Sequence, residues 1–456
     1  MKTLPPKTPF TIPYWGLLLL LLYTPLQAQS PLDNYIQEGL KSNLVLRQKN
    51  LSLKQAEESL QIARSYFLPS VNLLGDYISG QGGRSIGIPV GDLLNPVYST
   101  LNQLTESGAF PQIENVKQNF FPKNFYDARV RTSIPLINTD LYVNNKIKSQ
   151  EVLLQQFEID AYKRELILDI KTAYFQYLSA VAAVKIHESA LVLVNKNVSL
   201  NESMLRNGTS LPSQYLRSKS EAEQVKANLN SAQNQAINAQ KYFNFLLNRD
   251  LAASIDTNDT PFETSFDRDS ITSVARREEL KMLKQAITIN ESVLQLNQLS
   301  RLPKVNAFLD LGTQASNWRY NDQSRYYLFG VQLSVPIFQG FRTNAAIRQS
   351  KLAIEQSSLN LANTNRQLQL SAEIAESELQ TATQNYIASQ EQLKSAQSYF
   401  HLVEKGYQQG VNSLIEFLDA RNQLTSAQLQ QNLRQFEVLI ASAKVERETA
   451  SYTFEN

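Results

Sequence analysis

The chain has 456 residues, enough for two or three ordinary domains, with a formal charge of +2 and no cysteine. The missing cysteine excludes disulfides, thiolate metal sites and a lipid-bearing N-terminal cysteine. Only His187 and His401 are available to a histidine-built catalytic or metal centre, so no metal, cofactor or enzymatic chemistry is expected.

Taken in chain order, residues 1–28 read as a secretory signal peptide: Lys2 and Lys7, then YWGLLLLLLY, then LQA before QS. The apolar run is too short for a comfortable membrane-spanning helix, and no later segment reaches about 18 unbroken apolar residues. An exported, non-lipidated chain without a transmembrane α-helix is therefore expected. Without the two leader lysines its formal charge is zero, which leaves no basic surface for nucleic acid.

A first helix is expected to end before Leu68-Pro69, because the residue before proline avoids the α region. An extended segment follows. Residues 78–125, rich in Gly, Pro and Asn, read as a long loop. Its GQGGR lacks the lysine-and-hydroxyl ending of a phosphate loop and precedes no helix. Phe120, Phe121, Phe125 and Tyr126 cluster where this loop enters the next strand, as an interfacial girdle or a small loop core. In NFYDARVRTSIPL, Tyr126, Ala128, Val130, Thr132 and Ile134 take one face, and Asp127, Arg129, Arg131 and Ser133 the other. Residues 140–206 then predict a helix of roughly 100 Å at about 1.5 Å per residue. Its seam runs through Ala173, Tyr177, Ala180, Val184, His187, Leu191, Val194 and Val198 at alternating spacings of three and four, a coiled-coil pattern. His187 reads as a packed seam residue and His401 as surface or seam. A turn at 207–213 and another helix complete the first repeat, 29–250. Residues 251–270 connect it to the second.

The second repeat, 271–456, is written on the same plan. LPSVNLL (68–74) returns as LPKVNAF (302–308), VRTSIPLI (130–137) as VQLSVPIF (331–338), and NGTSLPSQYL (207–216) as QGVNSLIEFL (409–418). KVNAFLDLG and YYLFGVQLSVP alternate with period two, as strands with one apolar face do. The helix expected over 342–406 carries the seam Leu379, Ala382, Tyr386, Ser389, Leu393, Ala396, Phe400, Val403, Tyr407. A glycine turn at 406–413 and a last helix follow. Such strands fit the half-buried sheet of a soluble protein or a barrel wall. Four strands cannot close a barrel, and an open edge cannot sit in lipid, so a membrane barrel would have to be shared by several chains.

The duplicated order of helix, LP, hairpin, S-[IV]-P, long helix, glycine turn and long helix resembles the TolC-type outer-membrane efflux proteins, from about Leu32 to Ala450. That resemblance implies a mainly α fold with β: a homotrimer whose protomers each give four strands to a twelve-stranded barrel in outer-membrane lipid, with helices continuing into the periplasm as a hollow α-barrel. It implies a Gram-negative outer-membrane location. It also implies an exit duct for a tripartite efflux or type I secretion system, joined by a periplasmic adaptor and a proton- or ATP-driven inner-membrane pump. The loops within 78–125 and 313–325 would face outside. Asp127, Arg129 and Arg131 would line the lumen; in a soluble sheet they would be its wet face.

The family closes its periplasmic tip with acids after the second glycine turn. Gly410 matches that turn, Glu416 and Asp419 the acids, and Tyr407 a bracing aromatic. Asn412 stands where the family has a bracing arginine, and Gln214 where the first-repeat tip has an acid. A Tyr407–Gln214 hydrogen bond could take over part of that bracing. Ser413-Leu-Ile-Glu416 also reads as a capping box, in which Glu416 serves its own helix. Asp419 lies beyond the cap, and threefold symmetry would turn it into a ring of acids that attracts cations. The alternative for the whole chain is a soluble periplasmic coiled-coil adaptor or structural protein.

Overall fold

The computed structural model describes residues 30–257 and 274–452. The signal segment and most of the connecting stretch 251–270 lie outside the described residues. The chain divides into two compact units that cut across the sequence repeats. One takes Lys49–Glu158 with Glu278–Thr364; the other takes Met1–Gln48, Ile159–Arg277 and Asn365–Asn456, so far as these are described.

The first of these units holds a four-stranded antiparallel sheet. Its strands are β1 (Ser70–Ile78), β4 (Phe125–Ile137), β5 (Lys304–Ser316) and β6 (Arg325–Ser334), in the order β1-β4-β5-β6. Each repeat gives one hairpin, and β4 and β5 join them, with a register shift between Pro135 and Ile137. Because side chains alternate, the register sorts the residues completely. Asp76, Asp127, Arg129, Arg131, Asp310 and Tyr326 share one face. Val71, Leu73, Val130, Leu311, Tyr327, Phe329, Val331 and Leu333 share the other and are exposed.

Residues 78–125 are not the structureless loop their composition suggests. They contain a small hairpin, β2 (Ser85–Ile88) with β3 (Val116–Asn119), and the helix α3 (Val90–Leu104) between them. Gly87 lies within β2, and Gly91 and Pro96 lie within α3, so these residues do not prevent the elements from forming. The connection between β5 and β6 is likewise shorter than 313–325, since β5 runs on to Ser316.

The second unit is helical. α1 (Pro31–Ser42) ends at Asn43, and α2 (Leu44–Ser65) begins just beyond it, so the single first helix expected from sequence is broken. Asn43 is buried; its amide donates to the Leu246 carbonyl, and its Oδ1 accepts from Leu46 N–H and Tyr162 OH. The long helices α4 (Thr139–Arg206) and α7 (Arg342–Gln408) begin in the sheet-bearing unit and continue into this one. Each passes through a tight turn into a second helix, α5 (Pro212–Leu246) or α8 (Leu414–Thr449). In the sheet-bearing unit, α6 (Glu278–Leu299) leads into β5.

The seam of α7 holds. Leu379, Ala382, Tyr386, Ser389, Leu393, Ala396, Phe400, Val403 and Tyr407 are buried or half-buried, while most of their neighbours are exposed. In α4 the most buried line over the last four turns is Ala190, Val194, Asn197 and Asn201, rotated slightly from the expected one. His187 is half-buried there, and burial lowers its pKa. His401 is exposed. α4 also contains an 18-residue window of mean hydropathy 1.5, long and apolar enough by composition to cross a membrane although its apolar run is not unbroken.

Candidate functional site

The two glycine turns are built alike. After α7, Gly410 adopts φ +76°, and Val411 N–H donates to the Gly406 carbonyl at 2.8 Å. After α4, Gly208 adopts φ +70°, and Thr209 N–H donates to the Met204 carbonyl at 2.9 Å. Both are left-handed C-terminal caps, which favour glycine because it has no Cβ to clash. Gly406 is needed for a second reason. A Cβ there would lie 1.8 Å from Asn412 Oδ1, so any side chain would displace Asn412.

The helix starts after the turns differ. Pro212 begins α5, with no side-chain cap. α8 begins with the expected capping box. Ser413 Oγ accepts from Glu416 N–H at 3.3 Å, and Glu416 Oε2 accepts from Ser413 N–H at 2.7 Å. Ser413 Oγ and Asn412 Nδ2 also bond this carboxylate at 3.0 and 3.3 Å. These donors, the Ser413 backbone first, hold the Glu416 pKa below its ordinary value. Asn412 thus serves the α8 cap. Asp419 lies three residues on, exposed, accepting from Gln423 at 2.7 Å.

Beneath the acids is an apolar cluster of Phe400, Val403, Leu414, Phe417, Leu418, Ala420 and Leu424. Tyr407 stacks on Phe417 with ring centroids 5.0 Å apart. Its hydroxyl does not reach Gln214, as the sequence suggested. It pairs with Asn201 Oδ1 on α4 at 3.1 Å, and Gln214 instead accepts from Ser210 at 2.6 Å. Gln214 sits on the first turn of α5, where the nearer Ser210 hydroxyl claims its amide. Asn201 is fully buried and donates to Asn197.

A second polar link joins α8 to α5. Arg421 is 1% exposed and paired with Glu221, while its Nε finds no partner. Burial lowers the Arg421 pKa, and the charge of Glu221 opposes that shift. Sequence reasoning missed Asn201, Asn197, Arg421 and Glu221. Two signals were present: Asn201 occupies the seam position held by Val403 in the other repeat, and Arg421 interrupts the apolar line Leu414, Phe417, Leu424.

The polar face of the sheet forms one ionic network. Arg131 donates twice to Asp310, at 2.7 and 2.6 Å. Arg129 pairs with Asp127 and, at 3.0 Å, with Asp76; Tyr326 OH donates to Asp127 at 2.7 Å. The three residues expected from sequence, Asp127, Arg129 and Arg131, thus come together and are joined by Asp76, Asp310 and Tyr326.

The chain thus combines long helices ending in capped turns with a small sheet that is ionic on one face and apolar on the other. The family model described as outer membrane efflux protein matches residues 35–249 and 272–449, and the chain belongs to that family. Outer membrane protein TolC of Escherichia coli (strain K12) is 20% identical over 417 residues, 88% of this chain and 78% of its own. The alkaline protease secretion protein AprF of Pseudomonas aeruginosa is 22% identical over 367 residues, 76% of this chain and 73% of its own. The Campylobacter jejuni CmeC outer membrane channel superposes with a TM-score of 0.72 at 14% identity, over 92% of this chain and 85% of that one.

Proposed function

We propose that three copies of this chain form one passive exit duct, and that the α7–α8 turns are its periplasmic gate. The sheet carries this reading. It presents large exposed apolar side chains on one face and charges on the other, with both edge strands, β1 and β6, unpaired among the described residues. Unpaired edges are untenable in lipid, and pairing β6 of one copy with β1 of the next satisfies them without a new element. Three copies give a twelve-stranded barrel with Asp127, Arg129 and Arg131 toward the lumen. The apolar window of α4, only 17% buried within one chain, is then covered by neighbouring copies instead of lipid.

On this reading residues 1–28 direct export and are removed, and the chain stays unlipidated. Repeats 29–250 and 271–456 are two halves of one duplicated duct wall. A periplasmic adaptor and an inner-membrane pump supply cargo and energy, and no reaction occurs on the channel itself. Glu416 and Asp419, exposed side by side on the first turns of α8, become a ring of six acids under threefold symmetry. The pair Tyr407–Asn201 holds each tip closed, with Asn412 and Gln214 as local bracing.

Single-channel recording in planar bilayers tests this. Wild type is expected to give small, cation-preferring steps, and Glu416→Ala/Asp419→Ala to lose that preference. Unchanged selectivity in the double variant would remove the acids from the gate. Failure of the wild type to insert would remove the barrel.

A further inference from the structure

Residues 78–125 build a small ordered body that the duct reading does not use. Its helix α3 has two opposite faces. On one, Gly91, Asn95, Tyr98 and Asn102 hold the returning chain 110–115. Asn95 donates to the Ile113 carbonyl and accepts from Ile113 N–H, both at 2.9 Å. Asn102 does the same with Phe110 at 2.8 and 3.0 Å. Gly91 lets that chain approach, for a Cβ there would lie 2.5 Å from the Ile113 carbonyl oxygen. The tip is therefore clamped, not a loose loop that could fold its apolar residues away.

The other face carries Leu93, Leu94, Val97, Leu101 and Leu104, which fall within an arc of about 100° at roughly 100° per residue. Leu93 is 69% exposed and Leu104 76%. A rigid exposed apolar stripe of this kind marks an interaction surface.

We propose that this stripe packs against a second copy of the chain, on the outer side of the sheet. The proposal rests on the trimeric reading above. Three observations select this occupant. The body is inserted directly after β1, the edge strand beside which the next copy must sit, which roots it at the sheet end where that seam begins. The strand on the far side of the seam, β6, and the connection leading into it present exposed Tyr320 and Tyr327, apolar counterparts at the same end. Finally, 78–125 carry three basic and three acidic residues, none basic on the stripe, so nothing there suits a phosphate-bearing lipid surface.

The test is photocrosslinking in outer membranes, with p-benzoylphenylalanine replacing Val97 on the stripe or Gln103 beside it as control. Val97 is expected to give an adduct at twice the chain mass, and Gln103 none. An adduct with lipid or with another protein, or no protein adduct while native mass still reports a trimer, would overturn the proposal. A monomeric native mass would instead overturn the trimeric reading on which it rests. As a second readout, Leu93→Asp/Val97→Asp is expected to lower the temperature at which the trimer dissociates, and an unchanged temperature counts against the contact.

Discussion

A single carboxylate, Glu416, stands at the meeting point of two demands. As a cap it accepts hydrogen bonds from Ser413 and Asn412; as a gate residue it would face its symmetry mates. Its pKa is held below the ordinary value, so the cap's contribution is complete above that value, about 4.3 for a glutamate. It is lost as pH falls through the lowered folded value. Protection of the Ser413 and Glu416 amides, taken relative to their intrinsic exchange rates, is therefore expected to fall in acid, and Glu416→Gln to flatten that dependence. Tyr407 is the other residue on which the proposed gate rests. Tyr407→Phe keeps the stack on Phe417 but leaves the buried Asn201 Oδ1 without its partner, a loss of about 1–3 kcal/mol. Bilayer recordings of that variant are expected to show longer openings; identical gating would mean that the contact is only structural.

At the scale of elements, one tie between the repeats is the buried pair Arg421–Glu221, linking α8 to α5. Removing one partner of a buried ion pair leaves an uncompensated charge, at a cost of about 3–5 kcal/mol. Arg421→Ala or Glu221→Ala is expected to lower the melting temperature sharply, whereas Arg421→Met/Glu221→Leu should recover much of the loss. If the double replacement melts as early as the single ones, the pair's geometry matters more than its charge. These elements also mark how far the sequence could be read. Both long helices, both turns and the α8 cap were legible, because seven-residue periodicity, glycine punctuation and a capping box are local signals. α3 was not, because Pro89, Pro96 and the flanking glycines outweighed its short apolar stripe. The partners of Tyr407 and Arg421 were not legible either, since α4 meets α7, and α5 meets α8, about 200 residues apart in sequence.

For the whole molecule, the two faces of the sheet set the expectation. The chain is expected to stay with the outer membrane through a high-salt wash and to leave it only with detergent. Phe329→Lys places a charge on the apolar face and is expected to cost about 2–4 kcal/mol near the bilayer midplane. Reduced membrane-inserted trimer in that variant would support lipid contact there; normal insertion would place Phe329 elsewhere.

The sequence by itself determined the duplication, the strand faces, the long helices, their turns and the family, because each is carried by periodicity or punctuation within a few tens of residues. Only the tertiary structure decided which strands are neighbours, that Asp76, Asp310 and Tyr326 complete the ionic face, and that Asn201, not Gln214, receives the Tyr407 hydroxyl. Those outcomes depend on register and approach between segments far apart in the chain. One residue of slip in a strand, or one turn along a helix, changes every partner while leaving the local pattern as it was.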